Sequence, residues 1–244
     1  MWIFVILFIA DIVVACVYAK KSFPDVDKTA FWLKMLASVI FVMSGSIAFA
    51  HSEMGIYAKL ILTGLVFGLI GDALLSLDPY IRNGDKEKEK RNIIISTVVG
   101  AAAFLLGHVM YIVAFVKEIK LQNAFRLPVF LGVWALGIGV AVGAVLILKL
   151  KPGKLGAPML VYTTGLCAMA SLSISLAIFG FDYIPLRIIM FVAPVLFATS
   201  DATLGLKFSD SKRFSTPKMR YLTLLTYYPA QMLFSLSIML VEMR

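Results

Sequence analysis

The sequence predicts an all-α integral membrane protein with eight transmembrane helices. Three observations carry this. Hydrophobic residues make up 61% of the 244 residues and charged residues 15%, against roughly 45–50% and 25% in a soluble domain. The apolar residues gather in runs of about 20, the length that crosses a bilayer. Those runs are uninterrupted, whereas strands of a membrane β-barrel alternate. Eight spans use roughly 160 residues, so residues 1–244 form a single polytopic membrane domain with no room for a soluble one.

Four runs carry no charge at all and define their spans directly: 92–116, 127–148, 157–179 and 221–241. Four more hold an embedded charge: 1–19 with Asp11, 29–50 with Lys34, 56–77 with Lys59 and Asp72, and 185–206 with Arg187 and Asp201. Val13-Val14-Ala15-Cys16 resembles a lipoprotein cleavage box, but no basic residue precedes the first apolar run as a signal peptide requires. Residues 1–19 are therefore expected to remain as the first span. Cys16 and Cys167 both lie inside apolar runs, which argues against a disulfide framework and a thiolate metal site.

Orientation follows from the cations. Connections after spans 1, 3, 5 and 7 hold sixteen Lys and Arg, and the opposite side holds six. The odd-numbered connections are expected in the cytoplasm and both termini outside. The net charge of +9 is thus a topology signal, and no nucleic-acid partner is expected. The run Asp85-Lys86-Glu87-Lys88-Glu89-Lys90 alternates in sign, which reads as a solvated loop rather than a lipid-binding patch.

Gly71-Asp72-Ala73-Leu74-Leu75-Ser76-Leu77 reads against Ser200-Asp201-Ala202-Thr203-Leu204-Gly205-Leu206. The Asp, an Ala and two Leu coincide, four spans apart. This points to a 4+4 parallel internal repeat.

Ionisable groups inside the bilayer are expensive and normally face a protein cavity. Asp72 and Asp201 each lie five residues from the expected cytoplasmic end of their spans, roughly 7–8 Å deep. Lys34 lies at a matching depth. The competing reading is a structural ion pair or side chains snorkelling to the interface. Asp11 is deeper and has no obvious partner; binding substrate and capping a neighbouring helix both stay open. His108 and Tyr111 share one face of the fourth span. Tyr228 and Gln231 share a face of the eighth, beside Tyr227 and Pro229, and Tyr162 stands alone in the sixth. Hydrogen bonds between helices would account for these as well as a site would. A zinc site needs more N and S ligands than this, and neither a phosphate loop nor a nucleophile elbow is present. No metal and no cofactor are therefore expected.

Four segments resemble a known family. Leu62-Thr63-Gly64-Leu65-Val66-Phe67-Gly68-Leu69-Ile70-Gly71-Asp72-Ala73 is similar to its "GLxFSxxGDxxL" segment. Gly107-His108-Val109-Met110-Tyr111-Ile112-Val113-Ala114-Phe115 is similar to "HxxYxxAF", and Ser200-Asp201-Ala202-Thr203-Leu204 to "SDxxxA", with Gly205 in place of the last Ala. Thr226-Tyr227-Tyr228-Pro229-Ala230-Gln231-Met232-Leu233 is similar to "TYYxAQxL", with Pro229 as a departure. Lys34 matches a basic residue of the second span. On these segments the chain resembles the YhhN-like lysoplasmalogenases, also called the transmembrane protein 86 family.

The resemblance implies an eight-span hydrolase whose lipid substrate is a lysoplasmalogen. Its vinyl ether bond would be cleaved to a fatty aldehyde and glycerophosphoethanolamine or glycerophosphocholine. It also implies a bacterial inner membrane or, in a eukaryote, the endoplasmic reticulum membrane. Oligomeric state and head-group preference are not legible. The residues fit the chemistry. A vinyl ether is first protonated at the carbon β to oxygen; water then adds to the oxocarbenium ion and the hemiacetal collapses. One acid and one base suffice, and two carboxylates in a low-dielectric cavity can divide those roles. Asp72 and Asp201 are the expected pair. Lys34 would pair an Asp or receive the lipid phosphate, while His108, Tyr111, Tyr162, Ser200, Tyr228 and Gln231 would orient water or substrate. A proton-coupled transporter with a 4+4 repeat would also use paired carboxylates. An intramembrane aspartyl protease fits less well: Ile70 stands where its Gly-x-Gly-Asp motif needs Gly, and no Tyr precedes either Asp.

Overall fold

The structure, a computed structural model, describes residues 2–23, 26–82, 84–151, 153 and 156–243. Eight long helices account for most of them: α1 Trp2–Lys21, α2 Lys28–Ala50, α3 Ile56–Leu74, α4 Lys86–Leu121, α5 Leu127–Ile147, α6 Gly156–Phe179, α7 Ile184–Ser209 and α8 Pro217–Leu240. The described residues contain no strand. Seven of the eight, α1 to α7, are long and apolar enough to cross a membrane. The 24 residues of α8 match them in length, but Lys218, Arg220, Tyr227, Tyr228 and Gln231 dilute its apolar character.

Burial is inverted relative to a soluble bundle. Large apolar side chains such as Trp2, Ile6, Leu136, Val140 and Ile147 face outward. Serine hydroxyls lie inside and bond neighbouring helices and connections: Ser173 bonds the Met190 carbonyl, Ser175 the Ala124 carbonyl, and Ser44 meets Ser235. Lipid solvates apolar surface and cannot satisfy a hydroxyl, so polar groups turn to neighbouring helices. The multi-pass membrane character expected from composition is thus present in the packing. α5 is the extreme case, with no buried residue and only α6 as an extensive neighbour.

Two elements depart from the sequence reading. The alternating run after Asp85 is helical, because α4 begins at Lys86 and Asp85 caps it by accepting from the Lys88 N–H at 3.2 Å. Lys and Glu are good helix formers, and Glu87 and Glu89 suit the positive end of the helix dipole. Charge reported exposure there and said nothing about backbone. Conversely, α3 stops at Leu74, three residues earlier than expected, and Asp72 sits in its last turn. Of the cations counted for orientation, Lys154 and Arg244 lie outside the described residues.

Neighbours follow a pattern. α1 packs on α2, α2 on α3 and α3 on α4; α5 packs on α6, α6 on α7 and α7 on α8. The halves join through α4 on α6 and α8 on α2. Advancing every helix by four maps this set onto itself. α8 packs in addition on α1 and α3.

A strip of small residues on α3 makes the centre possible. A Cβ built on Gly64 would overlap the Tyr111 ring of α4, and one on Gly68 would lie 2.5 Å from the Gln231 amide nitrogen of α8. One on Gly71 would meet the Phe104 ring at 2.7 Å. These glycines let two helices press polar side chains against α3.

Candidate functional site

The site is a cavity of about 260 Å³ at one end of the bundle, where α2 and α8 begin and α3 and α7 end. Asp72 of α3 and Asp201 of α7 both line it, with Lys34, Ser200, Phe104 and Tyr227. The equal depth expected for the two carboxyls therefore corresponds to one shared space. The helix ends that motivated the expectation are not equivalent: Asp72 is in a last turn, and α7 runs on to Ser209.

Each carboxylate has its own partners. Asp72 Oδ1 pairs with Lys34 Nζ at 3.0 Å, and Asp72 Oδ2 accepts from Ser38 Oγ at 2.7 Å and Tyr227 Oη at 2.8 Å. Lys34 also donates to the Asp72 carbonyl at 3.3 Å. Ser38 lies one turn beyond Lys34 on α2, so ammonium and hydroxyl reach the same carboxylate from the same face. Asp201 Oδ2 accepts from Tyr162 Oη at 2.6 Å and lies 3.4 Å from His108 Nε2. His108 Nε2 and Tyr162 Oη are themselves 3.0 Å apart. His108 Nδ1 is buried without a hydrogen-bond partner among the described residues.

A directed chain of donors ends on Asp72. Tyr111 donates to Gln231 Oε1 at 2.8 Å, Gln231 Nε2 donates to Tyr227 Oη at 3.2 Å, and Tyr227 donates to Asp72. Tyr111 and Gln231 thus act on the site through Tyr227 rather than by lining it. Tyr228 is fully buried, donates to the Lys34 carbonyl at 3.5 Å, and sets its ring edge-on to that of Tyr227 at 5.0 Å. The structure places Tyr227 where the sequence reading placed Tyr228. Phe197 joins the two sides: its ring meets His108 edge-on at 4.8 Å and Tyr227 at 5.5 Å.

Ser38 was not singled out from sequence, and Tyr227 was noted beside Tyr228 and Gln231 without being assigned to the site. Their signals were present: a serine one turn from an intramembrane lysine, and a tyrosine one turn before Gln231. Asp11 is fully buried and neither oxygen has a hydrogen-bond partner among the described residues.

These features define a polytopic membrane protein with a carboxylate-bearing polar cavity set into one end of an apolar helical bundle. The chain belongs to the YhhN family, whose model matches residues 45–238. No curated protein and no solved structure matches it. The matched region holds both Asp, His108, Tyr111, Tyr162 and the Tyr227–Gln231 segment. Lys34 and Ser38 lie before it.

The ion pair yields a stability prediction. Lys34→Met should strand the Asp72 charge in the bundle and destabilise the protein by about 3–5 kcal/mol, whereas Lys34→Met with Asp72→Asn should recover most of that loss. Unfolding midpoints of the purified protein in one detergent check this; equal loss in the single and double variants would mean that the pair does not hold the helices.

Proposed function

We propose that the protein is a lysoplasmalogenase, which hydrolyses the vinyl ether bond of lysoplasmalogens. The observation that carries this reading is the placement of two carboxylates with different partners on one cavity bounded by apolar helices. Family membership supports it.

The partners divide the roles. Asp72 faces an ammonium and two hydroxyl donors. It is the base, and its negative charge faces the oxocarbenium ion. Asp201 has no lysine or arginine partner among the described residues and meets the Tyr162 hydroxyl and the His108 imidazole instead. It is the acid. Its proton goes to the carbon β to the ether oxygen, and the C=C π electrons form the new C–H bond. Water adds to the adjacent cationic carbon and gives a proton to Asp72. The hemiacetal C–O bond to glycerol then breaks. The departing glycerol oxygen takes the proton held by Asp72, and the hemiacetal hydroxyl gives its own to Asp201 to leave the aldehyde, which returns both carboxyls to their starting states. Tyr162 and His108 hold Asp201; Ser38 and Tyr227 hold Asp72, with Tyr111 and Gln231 behind Tyr227. Ser200 orients water or substrate within the cavity, and Tyr228 supports the backbone that carries Lys34.

Asp72→Asn and Asp201→Asn keep shape and lose proton transfer. Each should lower kcat by at least ~10²-fold, and the double variant should be little worse than either single because the pair acts as a unit. Turnover of lysoplasmalogen by purified protein in detergent, without any gradient, is the measurement. Near-normal turnover by either Asn variant would sink the pair, and a wild type that is inert without a gradient would favour the transporter reading.

Substrate chemistry is a separate check. The saturated ether analogue has no carbon that can be protonated to an oxocarbenium ion and should bind without turnover. The lyso-acyl ester should also survive, since the mechanism supplies no activated nucleophile. Ester hydrolysis at a rate comparable to that of the vinyl ether would overturn the mechanism.

We infer further that α8 is an eighth span. Its 24 residues rise about 36 Å, enough for a hydrocarbon core of about 30 Å. The matching neighbour pattern supports a 4+4 parallel relation of the halves. The cation count puts the cavity end in the cytoplasm, with both termini opposite. Cysteines introduced at Lys88 and Glu53 should be labelled from opposite faces of sealed vesicles, Lys88 from the cytoplasmic one; labelling of both from one side would refute this topology.

A further inference from the structure

With Lys34 committed to Asp72, the remaining cations on the cavity are Lys207, near the end of α7, and Arg220, in the first turn of α8. We propose that Lys207 and Arg220 form the subsite for the phosphate of a glycerophospholipid, which fixes how far its sn-1 chain reaches toward Asp72 and Asp201. The choice of a lipid phosphodiester as ligand rests on the lysoplasmalogenase reading; the anion site itself rests on the geometry below.

Lys207 makes no hydrogen bond or ion pair among the described residues. Arg220, Lys34 and Asp78 line the cavity with it. Arg220 gives one guanidinium nitrogen, Nη1, to the Ser22 carbonyl, and its plane lies 5.9 Å from the Phe23 ring. That anchors one edge of the group and leaves further N–H donors in a fixed fork, the arrangement that suits a phosphate. Asp72, Asp78 and Asp201 line the same cavity; with Asp72 paired to Lys34 and Asp201 carrying its proton as the acid of the proposed reaction, Asp78 leaves the two cations an excess of one positive charge. A phosphodiester carries one negative charge. α8 adds the positive end of its dipole, since it starts at Pro217 with Thr216 as its cap and Ser215 and Thr216 both line the cavity.

The spacing fits the substrate. Lys207 lies six residues beyond Asp201 on α7, about 9 Å along the axis. Arg220 lies seven residues before Tyr227, about 10 Å along α8 and on the same face. In a lysoplasmalogen, seven covalent bonds separate the carbon to be protonated from phosphorus, an extended reach of about 8 Å. A lipid with its vinyl ether between the carboxylates therefore puts its phosphate at Lys207 and Arg220. Its alkenyl chain points away from them, along the apolar wall that includes Phe104 and Leu204.

The test has two arms, both on the full chain in detergent. The first measures kcat/KM for lysoplasmenylethanolamine and for the alk-1-enylglycerol that lacks phosphate. Lys207→Met and Arg220→Gln should each lower the ratio of the two about tenfold, the scale of one hydrogen bond to a charged group. Arg220→Lys should lower it less, and Lys151→Met, away from the cavity, should leave it alone. A ratio unchanged in Lys207→Met would overturn the subsite, as would equal loss for both substrates. The second arm reads binding without turnover. Glycerophosphoethanolamine should raise the unfolding temperature of the wild type, and Lys207→Met should abolish the shift. An equal shift in wild type and variant would overturn the subsite. If neither vinyl ether is turned over while the shift depends on Lys207, the enzymatic reading fails and the anion site stands. If inorganic phosphate gives the full shift and glycerophosphoethanolamine gives none, the ligand is free phosphate and the lipid assignment falls.

Discussion

The buried pair between Lys34 and Asp72 is the constraint on which the site depends. Withdrawing an ammonium and a carboxylate from water costs several kcal/mol per ion, and pairing offsets this only when the remaining valences are filled. Here they are filled from three helices. α2 supplies Lys34 and Ser38, α3 supplies the carboxylate and the Asp72 carbonyl, and α8 supplies Tyr227. Those helices must therefore meet closely at one depth. The glycine strip on α3 permits the approach: any side chain at Gly68 would occupy the place of the Gln231 amide, and Gln231 is what directs the Tyr227 hydroxyl. Electrostatic need and the absence of side chains on α3 are two aspects of one packing solution.

The second carboxylate sits in a related frame with different chemistry. Asp72 on α3 is reached from α2 and α8. Asp201 on α7 is reached from α6, through Tyr162, and from α4, through His108. Advancing each helix by four turns the first set of helices into the second, so the frame is what a 4+4 duplication would leave behind. The side chains within it differ. An ammonium and a serine on α2 face one Asp, whereas a phenol on α6 faces the other. Under the proposed reading one carboxyl serves as acid and the other as base, and unlike partners on like scaffolds let them differ without breaking the bundle.

The parts of this architecture that were legible in the sequence are those that rest on one dimension. Runs of apolar residues gave the helices, and charges inside those runs gave Asp72, Asp201 and Lys34, because a charge in hydrocarbon is costly wherever the helix points. Selection among neighbours was not legible. Tyr227 and Tyr228 are adjacent and about 100° apart around α8, and nothing local says which of them turns toward Asp72; the packing of α8 against α2 and α3 decides it. Asp85–Lys90 failed for the opposite reason. Its charges forecast exposure correctly, but an exposed segment can be helix or loop, and the Asp85 cap selects helix. Ser38 was hidden by being an ordinary serine, a residue that elsewhere in this bundle mostly bonds a backbone carbonyl or another hydroxyl.

Under the proposed reading, the position of the cavity at the end of the bundle, rather than at its centre, suits what hydrolysis of a lipid demands. Water must reach a bond whose two sides differ in solubility. A site at mid-bilayer would exclude the charged head, and a site in the aqueous phase would have to extract the chain, at about 0.8 kcal/mol per methylene. A cavity where α3 and α7 end and α8 begins avoids both costs. Its apolar walls continue the hydrocarbon phase, while Lys207, Arg220 and Asp78 belong to the polar boundary. Under the proposed reading, the ether linkage of a lysolipid lies close to that boundary before it binds, so the protein need move the substrate only a short way to place it between the carboxylates. The ion pair with Lys34 allows an ionised carboxylate to exist at that depth. The base of the reaction can thus sit on the apolar side of the boundary, within reach of both the lipid bond and the water that enters from the polar end.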